Sequence, residues 1–107
     1  MKVLLSTIAA ATMLLAGQVN AADAEAAKAL AQKSGCLACH SIDKKVLGPS
    51  YKDIAAKYKG DKTAEAKLVE KVKKGGSGVW GPMPMPANSP QVKDADIKTI
   101  VQWILTL

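Results

Sequence analysis

The sequence predicts an all-α fold of about four short helices in one small domain. Four stretches carry apolar residues at helical spacing, and capping residues or glycines bound them. No stretch alternates between apolar and polar residues as a half-buried strand does. There is no internal repeat, and a chain of 107 residues suits a single domain.

The first 21 residues read as a secretory signal rather than as part of the fold. Lys2 supplies a positive start, residues 3–17 are apolar, and Val19-Asn20-Ala21 suits a signal peptidase. Cleavage is expected after Ala21, with Ala22 as the alternative. A membrane anchor is the competing interpretation, but the apolar stretch is shorter than the ~20 residues that a span needs. The domain would then comprise residues 22–107.

The first two helices are predicted over Ala22–Ser34 and Tyr51–Tyr58. Asp23 is the expected N-cap of the first, and Gly35 ends it. The Gly48-Pro49 turn precedes the second. Their expected inward residues are Ala27, Leu30, Ala31 and Ser34, then Ile54, Ala55 and Tyr58.

The third helix is predicted to start after Thr63, which is its expected N-cap. The fourth is predicted to start at Lys93. The third ends at Gly75 behind a cluster of lysines, where cations suit the helix dipole. The fourth runs to Thr106. Their expected inward residues are Leu68, Val69 and Val72, then Ile97, Ile100, Val101 and Ile104, with Trp103 beside them.

Residues 75–90 are predicted to form an irregular but ordered loop. Four prolines and four glycines in sixteen residues exclude a helix or a central strand. The loop also holds Trp80, Met83 and Met85, which are too apolar for a solvated linker. A long ordered loop with such residues is usually functional.

The stretch Cys36-Leu37-Ala38-Cys39-His40 has the Cys-x-x-Cys-His spacing of c-type haem attachment. Both thiols can reach one porphyrin edge from a single turn of chain, and the imidazole of His40 can then ligate the iron. His40 is the only histidine, so the second axial ligand cannot be another one. Of the methionines outside the signal, only Met83 and Met85 are left, and the residue chemistry does not choose between them.

Three motifs in the same order resemble the cytochrome c-551 family, the small bacterial class I cytochromes c. They are the Cys36–His40 stretch, Gly48-Pro49-Ser50-Tyr51-Lys52 and the segment from Gly78 to Pro86. The resemblance implies the class I cytochrome c fold, with helices wrapped around one covalently attached haem c. It also implies that Met85, rather than Met83, ligates the iron opposite His40.

The resemblance implies further contacts around the haem. The Pro49 carbonyl would accept the free imidazole N–H of His40, and Trp80 would donate to a haem propionate, although core packing alone would also suit a tryptophan. Asn88 would hydrogen-bond near the Met85 sulfur. Lys71 stands where relatives have an arginine that contacts a haem propionate. A lysine ammonium offers a single point charge, whereas a guanidinium can form two parallel hydrogen bonds.

A haem with both axial positions filled by protein favours electron transfer over catalysis. The expected function is that of a soluble periplasmic carrier that neither spans the membrane after cleavage nor binds nucleic acid. It is expected to work as a monomer with acidic redox partners such as an oxidase, a nitrite reductase, a peroxidase or a cytochrome reductase. The signal-free chain has 14 lysines, no arginine and nine acidic residues, which suits such partners. Candidate docking lysines are Lys33, Lys44, Lys45, Lys73 and Lys74.

Three other functions compete with that expectation. Cys36 and Cys39 could serve a thiol–disulfide oxidoreductase, but that motif calls for a βαβ context, and no strand is predicted. They could form a structural disulfide in a binding module, which leaves His40 and the methionine loop unexplained. A haem peroxidase or gas sensor would keep the haem but lack the methionine ligand.

Overall fold

The computed structural model describes residues 21–107, with side-chain environments from Asp23 onward. Residues 1–20 of the predicted signal segment therefore lie outside the described residues, and Ala21, its predicted last residue, belongs to the first helix. The described chain forms four α-helices, and its bridges are isolated pairs rather than strands. The helices are α1 (Ala21–Lys33), α2 (Tyr51–Lys57), α3 (Ala64–Lys74) and α4 (Asp94–Ile104), with a short 3-10 turn at Cys36–Ala38.

Helix α4 is the centre of the fold because α1, α2 and α3 each pack against it. Its inward residues repeat at helical spacing and are almost fully buried, as the sequence predicted. The small alanines of α1 allow that helix to approach α4 closely. The buried residues of α4 are Ile97, Ile100, Val101, Trp103 and Ile104.

The helix ends differ in detail from the sequence-based expectation. Helix α1 already includes Ala21 and Ala22, so Asp23 lies within the helix and is not its N-cap. Helix α2 is capped by Ser50, whose hydroxyl accepts a 3.1 Å hydrogen bond from the Asp53 amide. Thr63 is the N-cap of α3, but its side chain bonds to Asp61 rather than to the helix.

The predicted inner face of α3 is only half-buried. Leu68 and Val72 line a cavity rather than a closed core. The cavity explains why apolar residues at the correct spacing retain access to solvent.

Among the described residues, no helix is long and apolar enough to cross a membrane.

Candidate haem site

The two cysteines and the histidine share one tight turn. Gly35 enters it with a φ of 79°, a left-handed conformation that suits glycine. The backbone amides of Cys39 and His40 both donate to the Cys36 carbonyl, at 3.3 and 3.0 Å. Both thiols are half-buried and free, so the structural disulfide considered above is not formed.

The imidazole of His40 is held through one ring nitrogen. Its Nδ1 lies 2.7 Å from the carbonyl oxygen of Pro49, which is the contact that the resemblance implies. A carbonyl oxygen can only accept, so Nδ1 carries the proton and donates. In the neutral ring, Nε2 is then the nitrogen without a proton, which is the form that ligates a metal.

Gly48 packs directly against the same ring. A Cβ placed on Gly48 would lie 2.6 Å from His40 Cε1 and 2.9 Å from Nδ1, closer than real carbon contacts allow. The glycine is therefore required for space. The Gly48-Pro49 turn thus shapes the histidine site from two adjacent positions, and the resemblance had indicated only the role of Pro49.

Tyr51 contacts this site in a way that the sequence did not indicate, since it was predicted only as the start of the second helix and as part of the Gly48–Lys52 motif. Its ring stacks on the His40 imidazole, with centroids 5.3 Å apart and planes at 23°, and meets Trp103 of α4 edge-on at 5.6 Å. Its hydroxyl donates to the Cys36 sulfur. Burial raises the pKa of the Tyr51 hydroxyl above its ordinary value, and burial also raises the pKa of the Cys36 thiol.

An apolar cavity of about 820 Å³, including space open to solvent, lies next to His40. Core residues of α2 and α4 form part of its wall, and the 75–90 loop forms much of the rest. Cys36 and Cys39 do not line the cavity. The lining includes His40, Leu47, Pro49, Ile54, Leu68, Lys71, Val72, Trp80, Met83, Met85, Val101 and Ile104.

Met85 is fixed to the cavity wall through its backbone. It exchanges two hydrogen bonds with Gly76, at 2.9 and 3.0 Å, in an isolated antiparallel bridge. Gly75 makes the bridge possible, with φ 69° and ψ −159°, a region that is essentially restricted to glycine. A side chain on Gly75 would collide with the backbone of residues 85–87. The loop is ordered, as predicted, and these two glycines anchor it.

Met83 and Trp80 line the cavity but are more open to solvent. Met83 is 59% exposed and Trp80 is 42% exposed, so simple core packing does not account for the tryptophan. The ammonium of Lys57 lies 5.4 Å from the centroid of the Trp80 ring, in a cation–π contact. The indole therefore lies at the mouth of the cavity.

Lys71 and Asn88 occupy different environments. Lys71 lines the cavity, and within the part of the chain described no carboxylate pairs with it. The Asn88 amide donates to the carbonyls of Val72 and Pro86, both at 3.2 Å. These contacts differ from the one that the resemblance implies, in which Asn88 bonds near the Met85 sulfur. They tie the end of the loop to the last turn of α3.

The residues present fit a covalently attached haem. The donor set combines two free thiols, an imidazole that donates through Nδ1 and a thioether on the same cavity as that imidazole. Apolar side chains dominate the wall, as a porphyrin requires, and a lysine and an exposed indole lie where they can meet polar groups at its edge.

The comparisons with known proteins give the same result. The family described as cytochrome c matches residues 24–107. The chain belongs to the cytochrome c family. Cytochrome c-551 of Pseudomonas aeruginosa is 47% identical over 103 residues, which cover 96% of this chain and 93% of that one. Cytochrome c-552 of Nitrosomonas europaea is 50% identical over 103 residues, which cover 96% of this chain and 94% of the relative.

Solved cytochrome c structures share the fold. The crystal structure of wild-type Nitrosomonas europaea cytochrome c552 matches with a TM-score of 0.71 and 52% identity, over 75% of this chain and 98% of that one. Class 1 cytochrome MtoD from Sideroxydans lithotrophicus matches with a TM-score of 0.70 and 39% identity, over 78% of this chain and 95% of that one. The predicted all-α class I cytochrome c fold is confirmed. Cytochrome c membership makes haem c and its iron the cofactor, and Cys36 and Cys39 fit the attachment motif.

Proposed function

We propose that this cytochrome c is a monohaem electron carrier, and not an enzyme, with His40 and Met85 as its axial iron ligands. Bound haem c supplies a one-electron couple between ferric and ferrous iron. The chain's part is to hold both ligands, to exclude water and to leave one edge accessible to partners. The observation that carries the proposal is the 2.7 Å contact between His40 Nδ1 and the Pro49 carbonyl. It leaves Nε2 as the free ligand atom.

Two differences between the methionines support Met85 as the second ligand. Met85 is half-buried and its backbone is tied to Gly76, whereas Met83 is 59% exposed and also lines a second, outer groove. A weak iron–sulfur bond requires a thioether that is already held in place, because ordering a mobile side chain would offset the bond. Only Met85 has such backbone support.

Filled axial positions support a carrier over a catalyst. When protein atoms occupy both positions, a substrate has no free position at the metal. A thioether favours the ferrous state, and burial disfavours the additional charge of the ferric state, so both raise the reduction potential. Little motion is needed between the two states, since the same ligands serve both.

The polar residues near the cavity are proposed to support the cofactor. Lys71 and Trp80 are suited to contact the propionates, through an ammonium that no carboxylate of the described residues pairs with and through an indole at the mouth of the cavity. Pro49 would act through His40, making it a more basic ligand. Asn88 would act through the loop that carries Met85, because its amide links Pro86 to α3.

Docking is proposed to occur beside the outer groove. Lys44 and Lys45 are exposed, and Lys45 lines this groove with apolar neighbours that include Val46 and Met83. Lys73 and Lys74 differ because both already pair with Glu70, and Lys73 also pairs with Asp94. Acidic redox proteins in the periplasm would meet Lys44 and Lys45 first, because no carboxylate of the described residues pairs with them. The protein would work as a monomer that its signal segment exports.

The redox spectrum of the exported protein tests the proposed function. We expect a Soret band, a weak far-red iron–thioether band in the ferric state, and rapid one-electron exchange with an acidic redox protein. Absence of the Soret band would exclude a cytochrome. A Soret band without the far-red band, together with avid binding of cyanide, would indicate an open iron site and a catalyst or sensor instead.

A further inference from the structure

We propose that Tyr51 is a positioning residue that sets the plane of the His40 imidazole. The inference rests on the proposed role of His40 as an iron ligand. It concerns the ring contact in the structure and goes beyond the hydrogen bond to Pro49.

One hydrogen bond does not fix the plane of an imidazole. The contact between Nδ1 and the Pro49 carbonyl fixes the position of one ring atom, at 2.7 Å. The ring can still rotate about this contact, since carbonyl oxygens accept over a broad range of directions. A second contact against the face of the ring is needed to define its plane.

Tyr51 provides that second contact. Its ring stacks on His40 at a centroid distance of 5.3 Å and an interplanar angle of 23°. Offset stacks of aromatic rings have favoured separations of 4.5–7 Å and are worth roughly 0.5–1.5 kcal/mol beyond the area that they bury. Gly48 leaves no space for a side chain against the same imidazole, which limits the rotation further.

Tyr51 can serve as a fixed wall because it is itself held on several sides. It is only 2% exposed and is the first residue of α2, directly after the Ser50 cap. Its amide donates to the Ser41 carbonyl at 2.8 Å, and Trp103 of α4 meets its ring edge-on at 80°. The orientation of His40 is thereby coupled to the packing of α2 against α4.

The test compares ferric holoprotein variants by NMR. The four haem-methyl resonances report the orientation of the axial ligand plane, which a residue that only fills space would not change. Tyr51→Phe keeps the ring, while Tyr51→Leu and Tyr51→Met remove it. We expect the Phe variant to keep the wild-type order of methyl resonances and the other two to change that order.

Tyr58→Leu is the matched control. Tyr58 directly follows the same helix, is half-buried and packs against the same core, so its loss lowers stability without removing a ring from His40. We expect the wild-type methyl order in this variant. If neither non-aromatic variant at Tyr51 yields holoprotein, Trp103→Leu removes the support behind Tyr51 and should shift the same resonances.

Two results would overturn the inference. Unchanged methyl resonances in the non-aromatic variants, or in Trp103→Leu if it alone is available, would make Tyr51 a space-filling residue. A change in Tyr51→Phe as large as in Tyr51→Leu would assign the effect to the hydroxyl on Cys36 instead of to the stack. Failure of the proposed function is recognised separately, because the wild-type protein would then lack the Soret band or its histidine ligation.

Discussion

Gly76 and Met85 exchange two backbone hydrogen bonds across the proline-rich loop, at 3.0 and 2.9 Å. The pairing holds the main chain of Met85 against the end of α3 without help from its side chain. A loop with four prolines forms few backbone hydrogen bonds of its own. This bridge therefore fixes the backbone position of Met85.

The two methionines of the loop should respond differently to replacement. Met85→Leu removes the proposed thioether ligand, so we expect loss of the far-red ferric band and a lower reduction potential. Met83→Leu replaces an exposed side chain by one of similar volume and should leave both nearly unchanged. Spectra and voltammetry of the two variants check this, and exchanged behaviours would assign the ligand to Met83.

Gly75→Ala should loosen the loop. The new side chain would meet the backbone of residues 85–87 and would adopt a conformation that costs about 1–3 kcal/mol for residues other than glycine. We expect a total loss of roughly 3 kcal/mol in the free energy of unfolding, together with a weaker far-red band. Denaturant titration and absorption spectra measure both effects.

Gly78→Ala is the control for that loss. Gly78 also has a positive φ, 109°, but an added Cβ would meet no atom within 4 Å. We expect a loss of about 1 kcal/mol and an unchanged spectrum. Equal effects at the two positions would mean that backbone conformation, and not contact with the Met85 segment, explains the loss of stability in Gly75→Ala.

Gly48→Ala should disturb the histidine ligand. The added Cβ would lie 2.6 Å from His40 Cε1, so either the imidazole or the Gly48-Pro49 turn must shift. We expect a loss of about 2 kcal/mol in stability and a changed Soret spectrum. Gly60→Ala, at φ 81° with no atom nearby, should cost about 1 kcal/mol with no spectral change. A wild-type spectrum in Gly48→Ala would contradict this packing argument.

The buried hydroxyl of Tyr51 should make the protein less stable at alkaline pH. Burial raises its pKa in the folded state, whereas the unfolded chain ionises near the ordinary value of 10. Above that pH the unfolded state holds fewer protons than the folded state, so the free energy of unfolding falls as pH rises. Below it, this contribution is fully present.

Tyr51→Phe isolates that contribution, because the other titrating groups are the same in both proteins. We expect the free energy of unfolding to fall less steeply between about pH 10 and 11 in the Phe variant than in the wild type. Denaturant titrations at several pH values give the slopes. Parallel slopes would show that Tyr51 ionises as readily in the folded protein as in the unfolded one.

Lysines that pair with no carboxylate in the described part of the chain should dominate docking. We expect Lys44→Gln with Lys45→Gln to slow electron transfer with an acidic partner roughly 5-fold at low salt, and the difference to shrink at high salt. Lys73→Gln with Lys74→Gln removes the same charge, but Glu70 and Asp94 already offset those lysines, so the rate should change little. Stopped-flow rates over a salt series would reject this docking face if the second pair had the larger effect.

The amino-acid sequence by itself determined the four helices, their inward faces and the haem motif. Such features depend on residues close together in the chain: helical spacing of apolar side chains, glycines at helix ends, and the Cys-x-x-Cys-His turn. The helix starts were less predictable. Asp23 lies inside α1, and Ser50 was not singled out as the cap of α2, because several polar residues near a helix start can serve as the cap.

Only the tertiary structure decided how distant residues support the site. No spacing rule indicates that Tyr51 stacks on His40, that Asn88 bonds to Val72, or that Met85 pairs with Gly76. Each of these contacts depends on how α2, α3 and the loop pack around α4, and packing between elements is not a function of local pattern. The chain's own residues therefore indicate which groups can hold the iron, and the packing determines how firmly and in what orientation they are held.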